Sequence, residues 1–217
     1  MHISEMVLSF PVIGAGFAAT IAGTLIGLLR LDPDKIMTTA LLGAAFFVAS
    51  LIHVPIGGAQ AHLLLSGLLG FVLGWAAFPA ILVGLVLQAI LFQYGALTTL
   101  GVNTFNMAFP AVVCALTFKP LLGKTPLAHP VRTGIASFLA GSLAMIGSSL
   151  LTALSLAFTD EGFLISAKVL VLGHLPISAI EGVITIAAVT FLAKVKPEAL
   201  FPAKPRPAFQ TPPLSGE

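Results

Sequence analysis

The chain opens Met1-His2, and a second histidine, His62, stands near the start of a long apolar segment. A free α-amine followed at once by histidine is a chelator. The amine, the amide nitrogen of residue 2 and the imidazole of His2 close two fused rings around one metal ion, and a nitrogen from His62 completes a square plane. All-nitrogen planar geometry selects Ni(II), Cu(II) or planar Co(II) over Zn, Mg or Ca. The chemistry requires an unprocessed N-terminus. His2 is bulky and methionine removal normally needs a small second residue, so Met1 is expected to stay and supply the amine. The plain alternatives are a frayed terminus at residue 2 and a satisfied polar histidine at position 62.

Other polar groups sit where an apolar chain would not place them idly. His174 and Glu181 lie seven apart in the last apolar segment and share a helix face, with Pro176 between them expected to kink or break the helix and Lys168 upstream. Ionisable groups within a membrane segment should pair or line a wet cavity. They either lock helices together or mark a metal pathway or a contact to a moving partner. Asn103 and Asn106 open another span; they cap its helix, line the site, or hold a loop over it. His53 fits either a fifth ligand or an interfacial histidine, and His129 is expected to be solvated.

The elements that must position these groups are membrane helices. Of 217 residues, 58% are apolar and 8% charged, against roughly 25% charged in a soluble domain. No Lys, Arg, Asp or Glu occurs between Lys35 and Lys119, or between Arg132 and Asp160. A span needs about 20 apolar residues, so the chain reads as an all-α polytopic membrane protein of one domain, residues 1–195. Residues 196–217, rich in proline, are expected to form a flexible cytoplasmic tail. One cysteine, Cys114, excludes an intrachain disulfide and a CxxC metal site. The slight positive balance says nothing about nucleic acid, and no nucleic-acid partner is expected. Residues 1–29 lack the basic start of a signal peptide and read as a retained span.

Charges and turn residues divide the chain into spans near 7–29, 36–53, 103–118, 133–158 and 163–193, with 61–92 one apolar run. If 61–92 is a hairpin breaking near Trp75–Pro79, segments 30–35, 119–132 and 194–217 fall on one side; they hold nine of the ten Lys and Arg. The positive-inside rule then predicts about seven spans with the N-terminus outside and the C-terminus inside. Each half of the hairpin would have about 16 residues, roughly 24 Å of helix. The N-terminus and the loop 54–62 would share the outer face. In the first span Gly14, Ala18 and Ala22 form a small-residue stripe that lets another helix approach.

The start Met1-His2-Ile3, the run Gly57-Gly58…His62-Leu63, the segment from Leu97 to Ala108 and His174-Leu-Pro176…Ile180-Glu181-Gly182 together resemble the CbiM/NikM family. These are the substrate-binding (S) components of energy-coupling-factor transporters for cobalt and nickel. The resemblance runs in order to about residue 195. It implies a six-helix S-component core plus one N-terminal helix, and Co(II) or Ni(II) as transported substrate with no prosthetic group. It implies a metal held by the Met1 amine, the His2 amide and imidazole, and His62. It also implies a transmembrane coupling (T) subunit, ATPase subunits and often a small accessory membrane protein as partners. The chain itself would not be an enzyme; it has no GxxxxGK[ST] phosphate loop. Two departures stand out: Met6-Val7 follow Glu5 where the family usually has glycine and an aromatic residue, and the glycine-rich run before His62 differs in detail. Two rival readings are an S component for a vitamin or other organic solute, and an intramembrane metalloenzyme using His53, His62, His174 and Glu181, which would need three ligands and an open position.

Overall fold

The computed structural model describes residues 3, 6–56, 59–123 and 125–201, with the backbone alone for the described residues of 53–61. Met1, His2, the Gly57-Gly58 pair, the His53 side chain and residues 202–217 lie outside the described residues. Eight helices and one small hairpin follow in order. They are α1 (Phe10–Leu29), α2 (Ile36–Leu51), β1 (His53–Ile56), β2 (Ala59–His62), α3 (Ser66–Leu73), α4 (Ala77–Phe92), α5 (Leu100–Leu122), α6 (Pro130–Ala157), α7 (Leu164–Val195) and α8 (Pro197–Leu200). Six stretches among the described residues are long and apolar enough to cross a membrane, with Ser66–Phe92 taken as one. Large apolar side chains such as Leu29, Met37, Val131 and Ile165 face outward. Hydrocarbon, not water, is the solvent that tolerates such a surface.

Local chemistry sets the ends of the helices. Pro11 stands in the first turn of α1, where a missing N–H costs nothing. Asp32 accepts the Asp34 N–H at 3.1 Å and Asp160 accepts the Gly162 N–H at 2.7 Å, so each acidic residue caps the turn that leads into α2 or α7. Pro176 does not break α7, which continues unbroken from Leu164 to Val195. Of the kink or break expected at Pro176, the break does not occur; α7 packs closely on α6 along this stretch.

Helices α5, α6 and α7 form the centre, and α6 is lined with small residues that let its neighbours approach. Ala136, Ala140, Gly141, Ala144, Ser148 and Thr152 are all buried. The packing is closest where α3 crosses α6 and α7. A Cβ on Gly67 would stand 2.7 Å from Gly141 Cα and 2.7 Å from Thr185 Oγ1. The largest core cluster joins Phe46, Leu64, Leu69, Phe78, Ile81, Met107, Met145 and Ile177, drawing on α2 through α7.

The apolar run 61–92 does reverse, but not as two equal spans. Helices α2 and α4 run parallel: Gly43 meets Ala80, Phe46 meets Gly84, and Gln88 donates to Ser50 and to the Phe47 carbonyl. The chain between Leu51 and Ala77 must therefore return the length of α2. It does so with the β1–β2 hairpin, an irregular stretch at 63–65 and α3. Helix α3 has 8 residues, about 12 Å, too short to cross a bilayer. Gly74, at φ +54° and ψ −124°, makes the turn into α4. Strand pairing was not expected from the sequence; it takes up the residues that would have lengthened α3.

The two ends of the bundle differ in charge. At one end Arg30, Lys35 and Lys196 line a cleft of about 210 Å³ with Asp32, Asp34 and Glu198. Arg30 lies over Trp75 at 5.7 Å, and Lys119 donates to the Phe71 carbonyl. The opposite end gathers Ile3, the start of α5 and the end of α6, with Asp160 and Glu161 next in the chain. Trp75 and Tyr94 stand beyond opposite ends of α4.

Helix α1 uses two stripes of small residues. Gly16, Thr20, Gly23 and Gly27 are buried, meeting Val102, the Gly101 carbonyl, Phe78 and Trp75 in turn. Gly14, Ala18 and Ala22 stay exposed, and a Cβ on Gly14 would meet nothing within 4 Å. The folded region also extends past residue 195. Helix α8 turns the chain back onto α7 and α3, and Leu200 is fully buried in one cluster with Val189 and Phe71.

Candidate functional site

The first described residue, Ile3, is held on three sides. The Asn103 side-chain oxygen accepts the Ile3 N–H at 3.1 Å, while its amide donates to the Ile3 carbonyl at 3.3 Å. Thr99 donates to the same carbonyl at 2.7 Å, and Asn103 donates to Thr99 Oγ1 at 3.2 Å. All three residues are buried. The local reason is the start of α5: Thr99 precedes the helix and Asn103 lies one turn in, so both side chains project on one face. Asn103 thus holds a loop; neither Asn103 nor Thr99 makes a side-chain bond to an α5 backbone N–H. The residues joined to Ile3, Met1 and His2, are covalently bound to step away from this anchor by no more than about 3.8 Å per residue.

His62 ends β2 and is 1% exposed. Its Nδ1 lies 3.4 Å from the Leu63 carbonyl. A proton on Nδ1 puts the lone pair on Nε2, the tautomer suited to ligation through that atom. Antiparallel pairing sets His53 opposite His62, with Pro55 opposite Gln60. The sequence carries a signal for this hairpin: two four-residue segments separated by Gly57-Gly58, a two-residue turn pattern.

The stretch after His62 enters the bundle. Leu64 is 1% exposed and packs with Met107 and Ile177. Leu65 adopts φ +52°. Glu181, fully buried on α7, accepts the N–H groups of both Leu64 and Leu65 with Oε1, the latter at 2.8 Å. Seven residues before it on the same helix, about two turns, His174 is also buried, with Nδ1 2.6 Å from the Leu170 carbonyl. That contact assigns the proton to Nδ1. Neither His174 Nε2 nor Glu181 Oε2 has a hydrogen-bond partner among the described residues.

Asn106 turns away from Ile3 and donates to Ser155 at 3.2 Å and Thr152 at 3.5 Å, tying α5 to α6. Lys168 and His129 are exposed. Among the described residues no three His, Cys, Asp or Glu side chains converge as a metal-binding group. Thr99 was missed as a separate candidate; its role depends on residue 3 lying across the start of α5, which no local pattern announces.

Residues 2–199 match the family described as the cobalt uptake substrate-specific transmembrane region, CbiM. The chain belongs to the CbiM family. Its match to a Haemophilus influenzae protein named for metal transport is 38% identical over 202 residues, 92% of this chain and 97% of that one. The fused nickel transport protein NikMN of Rhodobacter capsulatus is 31% identical over 225 residues, 94% of this chain but 65% of the relative. A crystal structure titled as a truncated transition metal transporter superposes with TM-score 0.71 at 27% identity, covering 89% of this chain and 99% of that one. This CbiM-family chain is a multi-pass membrane protein of a cobalt and nickel transport family, with a largely helical membrane body.

Proposed function

We propose that this chain is the substrate-capture subunit of an ATP-driven importer of the energy-coupling-factor type for Co(II) or Ni(II). The ion is held in a planar site by the Met1 amine, the His2 amide and imidazole, and the His62 imidazole. The observation that carries this reading is the grip of Asn103 and Thr99 on Ile3. A terminus that served no purpose would have no need of three buried hydrogen bonds at its third residue. His62, buried at the mouth of an inward-going segment, supplies an imidazole that a membrane protein would otherwise be expected to avoid.

The chain captures and does not hydrolyse. Its sequence holds no phosphate-binding loop, so ATP is handled by ATPase subunits, reached through a transmembrane coupling subunit. A relative in which the matching region is only part of a fused chain supports the need for a further component, the small accessory protein. The exposed Gly14, Ala18 and Ala22 stripe on α1 is the face proposed for the coupling subunit, because small residues permit close helix approach. The concentration of Arg30, Lys35, Lys119 and Lys196 at one end supports an inside position for that end, which puts Ile3 and the metal entrance outside. Residues 202–217 are proposed to extend as a tail into the cytoplasm.

Extending the chain by one residue before Met1 tests the site directly. The amine would move off the plane, and Co(II) and Ni(II) binding to the purified protein should disappear while folding is unchanged. Retained binding would point to an organic solute or to a metal site elsewhere.

A further inference from the structure

We propose that Glu181 is a positioning residue for metal capture: its carboxyl group sets where His62 sits by capturing the backbone that follows it. The inference rests on the reading of His62 as a ligand. Two facts carry it. Leu64 and Leu65 have left β2 and not yet entered α3, so their N–H groups have no strand or helix partner of their own, and they lie inside the bundle. Irregular backbone at membrane depth persists only where protein groups satisfy it. Glu181 does this with a single oxygen that takes both N–H groups. Only Leu63 separates His62 from Leu64, so the imidazole has little play once Leu64 is held.

Glu181 is itself held firmly. Thr185 donates to its carbonyl at 2.7 Å, and a Cβ on Gly141 would stand 2.7 Å from the same oxygen. Ser142 donates to the Ser178 carbonyl at 2.8 Å, and Gly182 lies against Ser142 and Phe138. The α6–α7 contact therefore fixes the backbone of Glu181, and its side chain carries that position across to the His62 segment. Outer partners of this kind orient a ligand before the ion arrives, and their loss typically lowers metal affinity about 10- to 100-fold.

Two conservative variants separate reach from the carboxyl group itself. Glu181→Gln keeps the length and a carbonyl acceptor but loses the acid. Glu181→Asp keeps the acid but is shorter by one carbon–carbon bond, roughly 1.5 Å. Positioning predicts Ni(II) affinity within about threefold of the parent for Glu181→Gln and at least about tenfold weaker for Glu181→Asp. In the metal-free protein, amide hydrogen exchange at Leu64 and Leu65 should quicken in Glu181→Asp alone. Native affinity and exchange in Glu181→Asp, or a loss in Glu181→Gln as large as in Glu181→Asp, would overturn the inference. His62→Ala runs in the same assay. If it binds Ni(II) normally, the ligand reading itself has failed; if it loses binding while Glu181→Asp does not, only the positioning role has.

Discussion

Asn103 pairs with Ile3 as one strand pairs with another, its amide oxygen accepting the N–H at 3.1 Å and its amide nitrogen donating to the carbonyl at 3.3 Å. A side chain on α5 thereby does for the N-terminal segment what a neighbouring strand would do. Ile3 stays at the start of α5 because both of its backbone groups are satisfied there.

Removing that amide should loosen the terminus without unfolding the helices. Asn103→Ala is expected to lower Ni(II) or Co(II) affinity about 10- to 100-fold, the usual cost of losing an outer partner of a ligand. Asn103→Asp keeps the acceptor for the Ile3 N–H but loses the donor to the Ile3 carbonyl, and should fall between. Titration calorimetry on purified protein checks both, and equal affinity in all three forms would remove Asn103 from the site.

Capture should weaken in acid. Forming the proposed plane takes the proton from the His2 amide and needs neutral imidazoles on His2 and His62, so binding releases protons. Protons compete with the ion, and apparent affinity should fall as pH drops through the ordinary histidine range near about 6.5. Affinity independent of pH between about 5 and 8 would contradict a histidine-based site.

Packing at the α3–α6–α7 crossing should tolerate no side chain. Gly67→Val would drive its Cβ to within 2.7 Å of Gly141 Cα, and overpacking of this kind costs about 1–3 kcal/mol. Gly14→Val, on the exposed stripe of α1, has open space around it and should leave thermal unfolding in detergent unchanged while lowering recovery of a complex with the coupling subunit. Equal stability of the two variants would show that the crossing is looser than its geometry.

The arrangement of charge predicts sidedness. A reporter active only in the cytoplasm should work when fused after Phe201 and fail when placed between Phe158 and Asp160, at the opposite end of the bundle. The reverse result would invert the whole chain and put Ile3 on the wrong face for uptake.

Much of the helical body is legible in the sequence because hydrocarbon imposes a crude rule. Long uncharged runs must be helices, and the charges that interrupt them must be ends. The expected spans near 7–29, 36–53, 133–158 and 163–193 lie within a few residues of α1, α2, α6 and α7. The rule fails between 53 and 76. There the chain makes a hairpin, then an irregular stretch and a short helix that are as apolar as a span. Hydropathy measures transfer into lipid and cannot distinguish backbone satisfied by its own helix from backbone satisfied by Glu181 on another.

The residues proposed to bind a planar ion, Met1, His2 and His62, are suggested by types and order alone, since chelation by a terminus depends on covalent adjacency. What only the tertiary structure decides is how such residues are held. Thr99 and Asn103 are ordinary polar residues until Ile3 crosses them, and Asn106, three residues on, faces Ser155 instead. Glu181 is one buried acid among helices until the N–H groups of Leu64 and Leu65 arrive from more than a hundred residues away. Hydrogen bonds reach only about 3 Å. Their partners are therefore chosen by how the helices pack, and no local pattern in the chain records that choice.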